Sequence, residues 1–182
     1  MSFKEDLVAR RKIVNSITGA VRGEKTVEEN LPVVENSSPL LGIVKSQPAE
    51  QTGLVPQGLK VASDKPEGDV DLAKLDYSMG AVHDDEVYIT GKTLMKRAAE
   101  VGAIGSLGLA AALLKAQDEG KEIFPVESRS VHYFIMPLTE LQDYECEGCV
   151  AYFSWYGGRW GLHFRWLHNF FYPQNRFVRR SE

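Results

Sequence analysis

Between Phe3 and Tyr77 the chain has no phenylalanine, tyrosine or tryptophan; every other aromatic residue lies from Tyr77 to Phe177. Aromatic side chains supply much of the buried area that offsets the entropy of ordering a chain. The same stretch holds Pro32, Pro39, Pro48, Pro56 and Pro66, five of the eight prolines. A segment so poor in aromatics and rich in Pro, Glu, Ser, Gln and Gly is expected to stay open. The core is therefore expected from about residue 77 onward, enough chain for one small domain.

Other absences narrow the class further. Two cysteines in 182 residues exclude a disulfide framework. Met1 to Arg11 is charged where a secretory leader needs an apolar stretch. The longest apolar run, Val101 to Leu114, falls short of the roughly 20 residues that span a bilayer. These features point to a soluble, cytoplasmic protein with no membrane partner.

Within the aromatic-poor half, residues 1–22 carry a helical signal. Phe3, Leu7, Val14, Ile17 and Val21 recur at spacings of three and four, with Arg10 standing in for one member of the stripe. Lys4, Arg11 and Lys12 make this amphipathic helix basic. A helix of this length is marginal alone, so its stripe calls for something to pack on: its own domain, a second copy or another protein. Residues 23–76 read as a disordered linker in which acids outnumber bases, with apolar islands at Leu31–Val34 and Leu40–Val44.

Residues 77–182 are expected to hold the domain. A short strand is predicted over Glu86–Thr90, then a helix to Val101, a glycine break, and a second helix through Ala110–Ala112 to Gln117, closed by Gly120. Gly102, Gly105 and Gly108 imply close backbone packing. Strands follow over Ile123–Val126, Val131–Met136, Val150–Tyr156, Trp160–Leu167 and Arg176–Arg179. Helices first and strands later define an α+β fold, a helix pair packed on an antiparallel sheet.

The tract Thr90-Gly91-Lys92-Thr93 echoes the end of a phosphate-binding loop. That loop needs a second glycine five positions earlier, where this chain has Glu86. The tract is therefore not a nucleotide site.

Cys146-x2-Cys149-x13-His163-x4-His168 has the spacing of a zinc site. Over about residues 144–168 it resembles a Cys2His2 zinc finger, with Tyr144, Phe153 and Trp160 at positions suited to the finger's core. That resemblance implies zinc bound by Cys146, Cys149, His163 and His168. Its helix would have to pass through Gly157, Gly158 and Gly161, at about 3 kcal/mol of lost propensity. A zinc site is worth about 10 kcal/mol or more, so the glycines alone do not exclude it.

A hairpin accounts for more of the same residues. Gly157-Gly158 is a two-residue turn signal. Beyond it Trp160, Leu162, Phe164 and Trp166 alternate with Arg159, Gly161, His163 and Arg165, the period of a half-buried strand. A two-residue turn sets Tyr156 opposite Arg159, Ser154 opposite Gly161 and Tyr152 opposite His163. Cys149, Ala151, Phe153 and Trp155 then join the tryptophan side as a core face. Tyr152, Ser154, Tyr156, Arg159, His163 and Arg165 form a wet one. Cys149 and His163 point apart, so hairpin and zinc exclude each other.

From Gly148 to Ser181 there is no acidic residue, while Arg159, Arg165, Arg176, Arg179 and Arg180 supply positive charge. Arginine pairs with phosphate, and aromatic rings stack bases. Tyr152, Tyr156, His163 and these arginines are the candidate surface for single-stranded nucleic acid or an acidic protein. The ordinary alternative is an exposed sheet face neutralised by acids such as Asp84, Asp85, Glu86 or Glu140. A net charge of −4 gives no overall attraction to nucleic acid.

Catalysis has less behind it. His83 with Asp84-Asp85-Glu86 fixes no geometry, His132 reads as a core histidine, and Ser154 near His163 has nothing to activate it. The reading is a non-catalytic binding protein without a cofactor. Its alternatives are an adaptor or structural subunit that assembles through its N-terminal arm, and a small zinc-stabilised module.

Overall fold

The computed structural model describes residues 42–181. The stripe Phe3, Leu7, Val14, Ile17 and Val21 and the island at Leu31 lie outside the described residues. Among the described residues, two helices and mixed sheets make the fold α+β. Among the described residues no helix is long and apolar enough to cross a membrane.

The hairpin organises the sheet. Gly157 and Gly158 take φ of 61° and 84°, the positive values a type I′ turn requires. They join β7 (Gly148–Tyr156) to β8 (Arg159–Trp166). The pairs run Tyr156 with Arg159, Ser154 with Gly161, Tyr152 with His163 and Cys149 with Trp166. Along the other edge of β7 lies β6 (Tyr133–Gln142), also antiparallel. Pro137 has no N–H to give to a ladder, and around it the register jumps from Met136–Ala151 to Glu140–Val150.

The jump lets β6 serve two further neighbours. Its far half pairs antiparallel with β2 (Lys60–Asp64) and its near half pairs with β10 (Asn175–Phe177) in parallel. The sheet is mixed, which corrects the all-antiparallel expectation; alternation within a strand does not encode the direction of its partner. Short ribbons complete the fold: β1 (Ile43–Lys45) with β3 (Asp69–Asp71), β4 (Leu75–Asp76) with β11 (Arg179–Arg180), and β5 (Ile89–Thr90) with β9 (Phe170–Phe171). Ile123–Val126 is not a strand. Pro125 lacks an N–H and leads into a 3-10 turn at Val126–Ser128, yet Ile123 and Phe124 are fully buried.

Helix α1 (Gly91–Glu100) starts where the Thr90 hydroxyl accepts from Thr93 N at 3.4 Å, and α2 (Leu107–Asp118) where Ser106 accepts from Leu109 N at 3.1 Å. They pack on opposite faces of the sheet rather than as a pair on one. Phe134, Met136, Ala151, Phe153 and Trp160 meet Leu107, Leu109, Leu113 and Ala116 of α2 in the larger core. Ile135, Val150, Phe171 and Phe177 meet Leu94 and Ala98 of α1 in the second. Consecutive residues Phe134, Ile135 and Met136 alternate between the two cores, as successive strand residues must. Phe124 stacks on Phe134 with centroids 4.2 Å apart and meets Trp160 edge-on at 5.0 Å.

The linker expected over residues 23–76 is corrected from residue 42 onward. Ala49, Val70, Leu72 and Leu75 are buried in the larger core. Gly108 lies against the Gln47 backbone so closely that an added Cβ would overlap it. The Glu67 carboxylate accepts from Gly105 N at 2.6 Å, Ser106 N at 2.7 Å and Ser106 Oγ at 2.6 Å, closing the start of α2. Asp64 accepts from Ala49 N at 2.8 Å and Thr139 Oγ1 at 2.5 Å, and Thr139 in turn accepts from Leu107 N at 2.9 Å. Aliphatic burial and carboxylates on backbone N–H groups order this segment without aromatic residues.

Candidate nucleic-acid interface

The face of the sheet opposite α2 carries Tyr133 and Ile135 from β6, Val150, Tyr152, Ser154 and Tyr156 from β7, and Arg159, Gly161, His163 and Arg165 from β8. Ile135 and Val150 are buried in the core shared with α1; the remainder is open or half-buried. On three adjacent strands the rings of Tyr133, Tyr152 and His163 form a row. Tyr133 meets Tyr152 edge-on at 6.0 Å, and Tyr152 meets His163 at 5.5 Å with an interplanar angle of 34°. Tyr133 keeps 41% of its surface exposed and Tyr156, at the hairpin tip, 84%.

Arg165 is held in place beside this row. It donates to Phe170 O at 2.8 Å, and its guanidinium lies 5.4 Å from the centroid of the Phe171 ring. A groove of about 320 Å³ runs between Tyr133, Tyr152, Arg165, Tyr172, Gln174 and Asn175, with no acidic side chain in its lining. Tyr88 and Phe170, both exposed, pack on one another at 4.3 Å beyond Arg165.

The structure thus brings Tyr152, His163 and Arg165 together, with Tyr156 and Arg159 at the hairpin tip. Arg159 pairs there with Asp118 at 3.0 Å, an exposed contact of small energetic weight. Arg176, Arg179 and Arg180 lie elsewhere. Arg176 is opposite Phe134 on the α2 side of the sheet, where its guanidinium donates to Pro173 O at 2.5 Å. Arg179 donates to Asp76 at 2.7 Å. Hydrogen bonds from Ser78, followed by that guanidinium, pull the Asp76 carboxyl down to about 2. Arg180 donates to the carbonyls of Glu67 and Asp69 at 3.3 and 3.2 Å. Arg179 and Arg180 fasten the C-terminal segment to the segment that precedes residue 77. Tyr133, Tyr172, Gln174 and Asn175 were not evident from sequence, because their side depends on the register beside Pro137 and on the turn around Pro173.

The cysteines and histidines of the finger pattern are not brought together. Cys149 is buried in the larger core and His163 lies on the opposite face. Cys146 is exposed in a turn at φ 63°. The His168 ring pairs with Glu147 and stacks on Trp166 at 6.2 Å. Burial, with Asp143 and Glu140 nearby, pushes the Cys149 thiol up to about 11, opposing the thiolate a metal needs. Among the described residues no three His, Cys, Asp or Glu side chains are grouped to hold an ion.

The other candidates have structural partners. Glu86 forms a two-pronged pair with Arg97 at 2.6 and 2.7 Å and accepts from His83 N at 3.0 Å. Those hydrogen bonds, Arg97 first, hold its carboxyl down at about 2. His132 is half-buried rather than a core residue; its Nδ1 lies 3.2 Å from Ser128 Oγ, and burial and Arg176 lower its pKa. Ser154 faces Gly161, while His163 rests on Tyr152. The Thr90-Gly91 tract caps α1, and Gly91 admits the Leu167 backbone where a Cβ would collide.

No protein-family model, curated protein or solved structure matches this chain.

Proposed function

We propose that the chain is a non-catalytic binding protein whose open sheet face holds a short stretch of single-stranded nucleic acid. The row Tyr133, Tyr152 and His163 on adjacent strands carries this reading. Each ring offered to a base contributes roughly 1–3 kcal/mol, and bases present such faces only when unpaired. Arg165, fixed beside the row, supplies a guanidinium for a backbone phosphate. The acid-free groove supports the assignment, since an anionic strand would be repelled by carboxylates there. A cytoplasmic setting agrees with two free thiols.

The chain's net charge of −4 rules out binding by bulk attraction, so stacking must dominate. With one or two phosphates engaged, log K is expected to fall against log salt with a slope of only about −1. The test is a titration of the full chain with labelled oligonucleotides, single-stranded and duplex, at low and moderate salt. Single strands should bind with that shallow slope and duplexes should not. A folded protein that binds neither, or that binds only acidic proteins, overturns the proposal.

A further inference from the structure

We infer that the outer edge of β8 is a docking site for an extended segment of another protein, which joins the sheet as a further strand and alternates apolar with acidic side chains. β8 is the last strand of its sheet and pairs only with β7. One contact shows which of its backbone groups face outward. The side-chain amide of Gln117, on α2, accepts from Trp160 N at 2.8 Å and donates to Trp160 O at 3.0 Å, so the backbone groups of Trp160 point away from β7. The ladder runs without a register shift from Tyr156–Arg159 to Cys149–Trp166, and in an antiparallel ladder every second residue points outward. Leu162 and Phe164 therefore also turn N–H and C=O away from β7, and among the described residues nothing pairs with them. Gln117 does for the first rung of this edge what a neighbouring strand would do for all of it.

Unpaired rungs of this kind are a template for strand addition, in which main-chain bonds supply affinity and alternate side chains supply selectivity. The two sides of β8 select differently. On the α2 side Leu162, Phe164 and Trp166 are only half-buried, at the margin of the larger core. Apolar side chains of an added strand, about 5 Å away, would cover them. On the other side stand Arg159, His163 and Arg165. Arg159 already meets Asp118, but Arg165 is held by a carbonyl and a ring rather than a carboxylate, and neither β7 nor β8 contains an acid. The same charge selects against a second copy. Antiparallel pairing of two β8 strands about Leu162 sets Arg159 of each against Arg165 of the other, and like charges directly opposite destabilise a ladder. An acidic partner meets that side favourably. The edge offers backbone groups rather than ring faces, so it is a surface additional to the row Tyr133, Tyr152 and His163.

The test uses the full chain and two hexapeptides, one alternating glutamate with valine and one alternating lysine with valine. Binding is read residue by residue along β8 from amide hydrogen exchange measured by NMR. Without peptide, Leu162 and Phe164 should exchange fast and His163, between them, slowly. With the glutamate peptide at about 90% saturation, exchange at Leu162 and Phe164 should slow by about ten-fold, the share of time for which the edge is covered. His163 should not change, and the lysine peptide should slow none of them. No slowing at about 1 mM glutamate peptide, or equal slowing with the lysine peptide, overturns the inference. So does slow exchange at Leu162 and Phe164 in the chain alone at every concentration. Slow exchange that appears only as the chain is concentrated overturns it too, and gives the edge to a second copy.

Discussion

Cys146 and Cys149 lie three positions apart, one exposed and the other buried. Cys149 is paired to Trp166 in the ladder and buried among Leu141, Ala151 and Phe164 of the larger core and its margin, and its thiol is driven up to about 11. At neutral pH almost none of it is thiolate, and reagents cannot reach it. Cys146 sits exposed in the turn that precedes β7. Native protein at neutral pH should therefore add one equivalent of a thiol-alkylating reagent, at Cys146, and a second only after denaturation. Two fast equivalents in the native state would mean the Cys149 strand is not packed as described. At this scale the hairpin side chains were legible in the sequence, because strict alternation either side of Gly157-Gly158 leaves one self-consistent register. The arginines were not legible. Arg165, Arg176 and Arg179 look alike in a sequence, and their roles follow from Phe170 O, Pro173 O and Asp76, residues that only the fold brings near.

At the scale of elements, Gly105 and Gly108 hold their places by contact, whereas a Cβ at Gly102 would meet nothing within 4 Å and that glycine answers to its φ of 63°. Gly108 lies in the first turn of α2, where alanine would improve helix propensity by about 1 kcal/mol. The Gln47 backbone occupies the space of the missing Cβ, and overpacking of that kind costs about 1–3 kcal/mol or more. The contact wins: Gly108→Ala should lower the urea midpoint, with a net loss of about 1–2 kcal/mol. A stabilised variant would show that Gln47 does not approach α2. Close packing near Gly105 and Gly108 was legible in the sequence, though not at Gly102, and the partner of Gly108 was not legible. The partner is a stretch of extended chain between strands of only three to five residues, too short for alternation to register. The parallel pairing of β10 with β6 was hidden for a related reason, since three residues carry no sign of direction. Pro137 stood in plain view, and its consequence, the register jump that turns Tyr133 towards the groove, needed both neighbouring strands to be known.

At the scale of the molecule, the described residues form one folding unit that begins well before the first core aromatic. Val70, Leu72 and Leu75 supply core, Glu67 satisfies N–H groups at the start of α2, Asp64 accepts from Ala49 N and the Thr139 hydroxyl, and Asp76 anchors Arg179. A fragment of residues 77–182 loses these partners together. It should show no cooperative thermal transition, whereas residues 42–182 should unfold in one step. A cooperative 77–182 fragment would restore the boundary that aromatic content alone suggests. The absence of aromatics measured how this segment is buried, through small aliphatic side chains and carboxylate-to-backbone bonds, and not whether it folds.

The same architecture leaves one sheet face covered by α2 and the other only partly covered by α1, so that Tyr133, Tyr152 and His163 stand in the uncovered part. Whether that row is a binding platform is tested most directly by Tyr133→Ala in the full chain, titrated with a labelled single-stranded oligonucleotide beside the wild type. Tyr133 is substantially exposed, so its truncation should leave the thermal transition nearly unmoved. The account predicts an affinity loss of roughly 5- to 100-fold, the worth of one base–ring stack. Equal affinity in the two proteins would contradict it.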